Sequence, residues 1–250
     1  MNSAAFDPVE QQGLWRAIRE RRDMRHFNGT PLEAGQLERL LEAARLAPSV
    51  GYMQPWRFIR ITDPALRQAI HAEVEAERQQ TAATLPSRQA EFLRLKIEGI
   101  RECSELLVSV LMPDDGRHII GRRTMPDMAL ASAACAIQNL WLAARAEGIG
   151  MGWVSFFEPA RLAARLALPT GARPIAVLCL GPVDAFYPRP QFEDAGLRHP
   201  AATGRYPVRK RLARRRRPHP QRLLTSRRRL RPPRASGRCR AASVRPRAIR

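Results

Sequence analysis

The sequence predicts a β-sheet covered by helices, of the α/β or α+β class, and three observations carry that prediction. Short apolar runs of strand length recur at 56–62, 105–112, 150–157 and 174–183. Segments with helical spacing lie between them, the strongest being "MPDMALASAACAIQNLWLAARAEG" (125–148). Acidic and basic residues balance over 1–198, a length able to enclose a sizeable core.

Taken in chain order, residues 10–22 carry Leu14 and Ile18 at helical spacing and run into three arginines. "TPLEAGQLERLLEAARLAPS" opens on Thr30, Pro31 and Glu33, a helix start, and stops before Pro48. "WRFIRIT" alternates loosely and reads as a strand. Residues 64–81 and 88–101 read as charged amphipathic helices joined by the breaker "LPS". "ELLVSVLM" (105–112) is a buried strand, and the helix at 125–148 ends on Gly148. "GMGWVSFF" follows as a strand, then a short helix at 158–167, then "PIAVLCLGPV" as a last strand. No GxGxxG follows a strand, so a Rossmann dinucleotide site is not expected.

The formal charge of +20 points to a polyanion partner only until it is located. Residues 199–250 hold 19 of the 43 Lys+Arg and none of the 23 Asp+Glu. The nucleic-acid signal is therefore confined to that segment, and 1–198 reads as an ordinary globular domain. Residues 199–250 lack apolar periodicity and are rich in Arg and Pro, the composition of a disordered basic tail. One reading is a tail that binds nucleic acid or an acidic surface. The other is translation in a shifted frame of a GC-rich gene. Codons permitted for "HPAATGRYPVRKRLA" (199–213), read one base later, can encode "TRLPLEDILFENGW", which has the acids and tryptophan of a folded domain. Cys103, Cys135, Cys179 and Cys239 show no metal-ligand spacing and read as buried free thiols of a reducing compartment. "MNSAAFDPVE" has no signal-peptide pattern, and no apolar run approaches the roughly 18 residues of a membrane helix. A cytoplasmic protein is expected.

Three segments concentrate the chemistry: "RRDMRHF" (21–27), "LAPSVGYMQPWRFIRI" (46–61) and "GIGMGWVSFF" (148–157). With "LKIEGIR" (95–101) and "CAIQNLWLAARAEG" (135–148), their order and spacing resemble the flavin-binding nitroreductase superfamily. More narrowly they resemble its 5,6-dimethylbenzimidazole synthase branch, the BluB type, over about residues 10–198. That resemblance implies an α+β nitroreductase-like fold, with a central mixed or antiparallel sheet flanked by helices, in a homodimer that binds FMN.

An FMN site needs cations for phosphate, a flat apolar slot for the ring and backbone donors at its edge. Arg21, Arg22 and Arg25 are the candidate cations, with Asp23 and Met24 between them; a solvated basic helix end is the bland alternative. Arg45 is a further candidate. Ser49 and Gln54 lie in a polar turn that, in the superfamily, reaches the flavin of the neighbouring subunit. Gly152 is the expected main-chain donor near the ring. His26 and His118 lack partners or metal spacing, and Lys96 is a weak candidate for the flavin entrance.

Asp23 and Ser155 separate the branches. Nitroreductases carry a small residue at the first position, whereas the synthase branch carries aspartate there and serine in "GWVS", both tied to catalysis. The resemblance thus implies that reduced FMN and dioxygen are consumed, giving 5,6-dimethylbenzimidazole and erythrose 4-phosphate, with a flavin reductase or NAD(P)H as the source of electrons. Such a reaction must break a C–H bond at the ribityl C1′ and needs a positioned acid/base, a task the arginines cannot perform at neutral pH. The alternative is an NAD(P)H-dependent nitroreductase-type oxidoreductase.

Overall fold

A computed structural model describes residues 4–114, 116 and 120–195; His118, Cys239 and the basic segment 199–250 lie outside the described residues. Among the described residues, four strands form one sheet in the order β1-β2-β4-β3, every neighbouring pair antiparallel: β1 (Trp56–Arg60), β2 (Glu105–Leu111), β3 (Ile149–Val154) and β4 (Arg173–Pro182). The sheet is therefore α+β rather than α/β. Alternate residues of the central strands feed two cores. Leu106, Val108, Val110, Val177 and Cys179 pack to one side, Leu107, Ala176, Leu178 and Leu180 to the other. Burial on both faces explains why β2 and β4 read as continuous apolar runs.

Among the described residues, seven α-helices flank the sheet: α1 (Pro8–Glu20), α2 (Gln36–Arg45), α3 (Pro64–Ala83), α4 (Gln89–Arg94), α5 (Met128–Ala146), α6 (Pro159–Arg165) and α7 (Gln191–Asp194). Among the described residues, no helix is long and apolar enough to cross a membrane. The alanine-rich α5 lies against α2 and the Leu107–Leu178 face, with Ala133, Ala136, Ile137 and Leu140 fully buried. It is followed by Gly148 at φ +76°, the left-handed residue that ends a helix.

Three elements differ from expectation. First, α1 begins at Pro8, where Asp7 and Glu10 form a reciprocal capping box, and Leu14 and Ile18 face outward. Apolar spacing identified the helix but not the surface it meets. Second, α2 starts at Gln36 rather than Thr30, because Gly35 at φ +79° turns the chain immediately before it. Third, the helix expected over 88–101 ends at Arg94. Ile97 and Ile100 instead bury in extended and turn conformations, and Arg78 of α3 donates to the carbonyls of Leu93 and Leu95. A Cβ at Gly99 would lie 2.4 Å from the Phe27 ring, so the packing of this segment on residues 25–27 leaves no room for a side chain there. Cys103 and Cys179 are buried free thiols as expected, whereas Cys135 is exposed.

Candidate active site

Strand β3 is an edge of the sheet, and residues 23–25 run beside it. Asp23 and Met151 form an isolated parallel bridge, and the Met24 N–H donates to the Met151 carbonyl at 2.9 Å. One residue further, side chains take over from backbone. The Trp153 N–H donates to Asp23 Oδ1 at 2.8 Å, and Arg25 Nη2 donates to the Trp153 carbonyl at 2.9 Å. Arg25 Nη2 also donates to Asp23 Oδ2 at 2.5 Å. An exposed strand edge leaves backbone groups unpaired; here a carboxylate and a guanidinium satisfy both groups of Trp153 and each other. The acid among the arginines is thus paired in place at the strand edge.

The three arginines do different work. Arg22 spends its guanidinium on the carbonyls of Arg19, Arg21 and Pro188, tying the end of α1 to the 184–192 segment. Arg25 is buried behind Asp23. Arg21 lies over the Trp141 ring, its guanidinium carbon 4.4 Å from the centroid, while the Trp141 indole N–H donates to the Arg22 carbonyl. Burial pulls Arg21 below the usual arginine range, with Asp23 opposing. Burial also raises the Asp23 carboxyl above the usual aspartate range, against the lowering pull of Arg25, the Trp153 N–H and Arg21.

These residues share a cleft of about 390 Å³ that also takes in Ser155. Leu95, Ile97, Trp153, Phe156 and Phe192 make its apolar walls, and Asp23 is the one carboxylate among the residues lining it. A larger concavity, about 650 Å³, opens by Asn28 and Ser104. Its arginines are committed elsewhere, Arg60 to Glu105, Arg67 to the carbonyls of Cys103 and Ser104, and Arg101 to His71. The smaller cleft is therefore the candidate site.

The fold brings Arg21, Arg22, Asp23, Arg25 and Ser155 into that cleft. Met24 is fully buried and offers no side chain to it. Gly152 corrects an expectation. The Met151 carbonyl and Trp153 N–H point toward residues 23–25, so by strand alternation the Gly152 N–H points to β4, opposite Cys179. Glycine is required there for a different reason: a Cβ would lie 2.3 Å from the Met24 carbonyl oxygen. Arg45, Ser49 and Gln54 lie outside the cleft. Arg45 pairs with Glu42, and the Ser49 hydroxyl accepts from the Gln54 N–H. Their turn is strained, with Tyr52 at φ +55° and Gln54 at φ +43°. His26 sits 2.5 Å from the Tyr187 hydroxyl, and Lys96 pairs with Glu102. Sequence reasoning did not single out Trp141, Leu95, Ile97 or Phe192, although Leu95 and Ile97 lie within "LKIEGIR" and Trp141 within "CAIQNLWLAARAEG".

The chain matches the nitroreductase family over residues 18–182. A 5,6-dimethylbenzimidazole synthase of Rhodospirillum rubrum is 41% identical over 193 residues, covering 76% of this chain and 92% of the relative. Two solved structures share the fold. Iodotyrosine deiodinase bound to FMN and 3-iodo-L-tyrosine aligns with a TM-score of 0.59 at 23% identity, over 70% of this chain and 94% of its own. A BluB-like flavoprotein from Clostridium difficile 630 aligns at 0.56 and 20% identity, over 70% and 93%. With the family matched over more than half of the chain, and with a relative this similar along nearly its whole length, the protein belongs to the nitroreductase family.

Proposed function

We propose that this chain is a 5,6-dimethylbenzimidazole synthase that takes reduced FMN and dioxygen as substrates. The observation that carries the reading is Asp23, the one carboxylate lining a cleft otherwise built of arginines, aromatics and aliphatics, with Ser155 in the same lining. The cleft suits a ligand with an anionic end and a flat apolar body. Arg21, whose guanidinium is stacked on Trp141 rather than spent on carbonyls, would hold the phosphate. Trp153, Phe156, Leu95 and Ile97 would enclose the ring and exclude water. Reduced FMN supplies both the electrons for dioxygen and the carbon skeleton of the product.

The chain's own contribution is proton handling and orientation. Asp23 accepts the proton released at the ribityl C1′, a role open to a carboxylate whose oxygens each retain a free lone pair and whose side chain is 42% exposed. Ser155 hydrogen-bonds and orients the substrate. The Ser49–Gln54 turn serves the cleft of a second copy, and the exposed Phe6, Val9, Leu14, Trp15 and Ile18 in and beside α1 support a homodimer. We further propose a cytoplasmic enzyme supplied with reduced FMN by a separate flavin reductase.

The test compares the parent with Asp23→Asn and Asp23→Ser. Asparagine keeps an acceptor for the Trp153 N–H, and serine is the smaller residue seen in nitroreductases. Both variants should bind FMN, by quenching of flavin fluorescence, and both should lose benzimidazole formation from chemically reduced FMN in air. Product at the parent rate from either variant would remove Asp23 from the chemistry.

A further inference from the structure

We propose that Trp141 is a positioning residue for Arg21, and that the pair sets the preference of the cleft for a phosphorylated flavin over the same flavin without phosphate. This deepens the reading of the cleft as an FMN site and rests on it. The inference starts from a guanidinium with no hydrogen bond of its own. Arg21 is half-buried and lines the cleft, yet among the described residues its side chain donates to no acceptor. Arg22 beside it is committed to three carbonyls. What holds Arg21 in place is a ring.

Helix α5 fixes the residue from three points. Arg145 Nη2 donates to Glu20 Oε2 at 2.5 Å, and the Trp141 indole N–H donates to the Arg22 carbonyl at 3.2 Å. Trp141 and Arg145 are four residues apart, so one face of α5 grips the chain on either side of residue 21. Between those two anchors the Arg21 guanidinium lies over the Trp141 ring, its carbon 4.4 Å from the centroid. Trp141 is only 8% exposed and belongs to the core between α5 and the sheet, so the ring is itself held still.

This arrangement prepares an arginine for an anion. The ring covers one face of the guanidinium, while the N–H groups lie in its plane and stay available at its edge. A phosphate takes two such groups side by side. Without the ring the long side chain would be free to rotate and would lose that freedom on binding. Trp141 also touches a wall of the cleft, its ring centroid 6.4 Å from that of Trp153 at a tilt of 40°. A merely structural Trp141 would therefore act through Trp153 on the whole flavin. A positioning Trp141 acts on the phosphate alone, and riboflavin, which is FMN without its phosphate, separates the two.

The experiment titrates the parent, W141L, W141F, R21M and the W141L/R21M double variant with oxidised FMN and with riboflavin, read by flavin fluorescence at fixed pH and ionic strength. In R21M the ratio of FMN to riboflavin affinity should fall about tenfold or more, as expected for loss of a charge-assisted contact. W141L should lower that ratio at least about threefold, with riboflavin affinity changed less than FMN affinity. W141F, which keeps a ring without the N–H, should lose less than W141L. The double variant should match R21M alone, because Trp141 acts through Arg21. W141M carries the same comparison if W141L does not fold. An equal loss for both flavins in W141L, or losses that multiply in the double variant, would overturn the proposal. The parent is assayed separately for benzimidazole from reduced FMN. If the ratios move as expected but the parent makes none, the positioning stands and the functional reading fails; product with an unmoved W141L ratio means the reverse.

Discussion

Gly152→Ala should dismantle the site from behind. The added methyl would lie 2.3 Å from the Met24 carbonyl oxygen and 3.0 Å from Arg25 Nη1. An ordinary carbon–oxygen contact is no closer than about 3.2–3.4 Å, so the Met24 backbone would have to retreat by roughly 1 Å. That segment carries the Met24–Met151 hydrogen bond and both side-chain bonds to Trp153, so all three would stretch together. Overpacking costs about 1–3 kcal/mol, and the upper part of that range applies because the obstacle is backbone rather than a flexible side chain. For a folded region of this size each kcal/mol lowers Tm by about 2–4 °C, giving an expected fall of roughly 5–12 °C. Thermal unfolding and flavin-fluorescence titration on the same samples give both numbers. FMN affinity should drop at least about tenfold, as expected when groups that position a ligand move by 1 Å. A variant with parental Tm and parental FMN affinity would refute the close approach of residues 23–25 to β3.

Four further outcomes follow. Arg21→Met should weaken FMN binding strongly while leaving Tm nearly unchanged, whereas Trp141→Leu should weaken it by freeing Arg21; equilibrium titration separates these from folding. Leu140→Ala, at a fully buried position of α5, should cost about 2–5 kcal/mol by chemical denaturation without touching the cleft. The raised Asp23 carboxyl makes one contribution to the pH dependence of folding stability: its ionised form is disfavoured in the fold, so its penalty is absent below the unfolded aspartate value, grows between that value and the folded one, and is complete above the folded one. Urea midpoints of D23N relative to the parent should therefore improve from acid toward neutral pH, and a constant difference would contradict this. Finally, if residues 199–250 are a shifted-frame product, the gene read one base later from codon 199 should continue as "TRLPLEDILFENGW" into an acid-containing, tryptophan-bearing end; a stop or a second basic string would reject it.

How far the sequence could be read depended on the range of the forces involved. Strands β2 and β4 and helix α5 were legible because local composition already encodes burial: both sheet faces are covered, and the helix packs on alanine. The 95–101 segment was misread because its charged, apolar spacing is helical. What unwinds it is distant: Arg78 gripping two carbonyls and Phe27 lying where Gly99 has no side chain. Leu14 and Ile18 show the same limit, since periodicity marks a face without saying what covers it. In the site, the motif residues were identifiable but their division of labour was not. Asp23, Met24 and Arg25 do alternate polar, apolar, polar as a strand does, with Met24 turned into the core. That signal hinted at pairing with β3. The partner of Asp23 and Arg25, Trp153, is 130 and 128 residues away respectively, beyond any local pattern.

The central claim is that the flavin is consumed. Incubating the protein with chemically reduced FMN in air, then separating the mixture by chromatography, tests it most directly. The expected result is 5,6-dimethylbenzimidazole appearing as flavin absorbance is lost, with none from D23N. Quantitative return of intact oxidised FMN, with no benzimidazole, would contradict it.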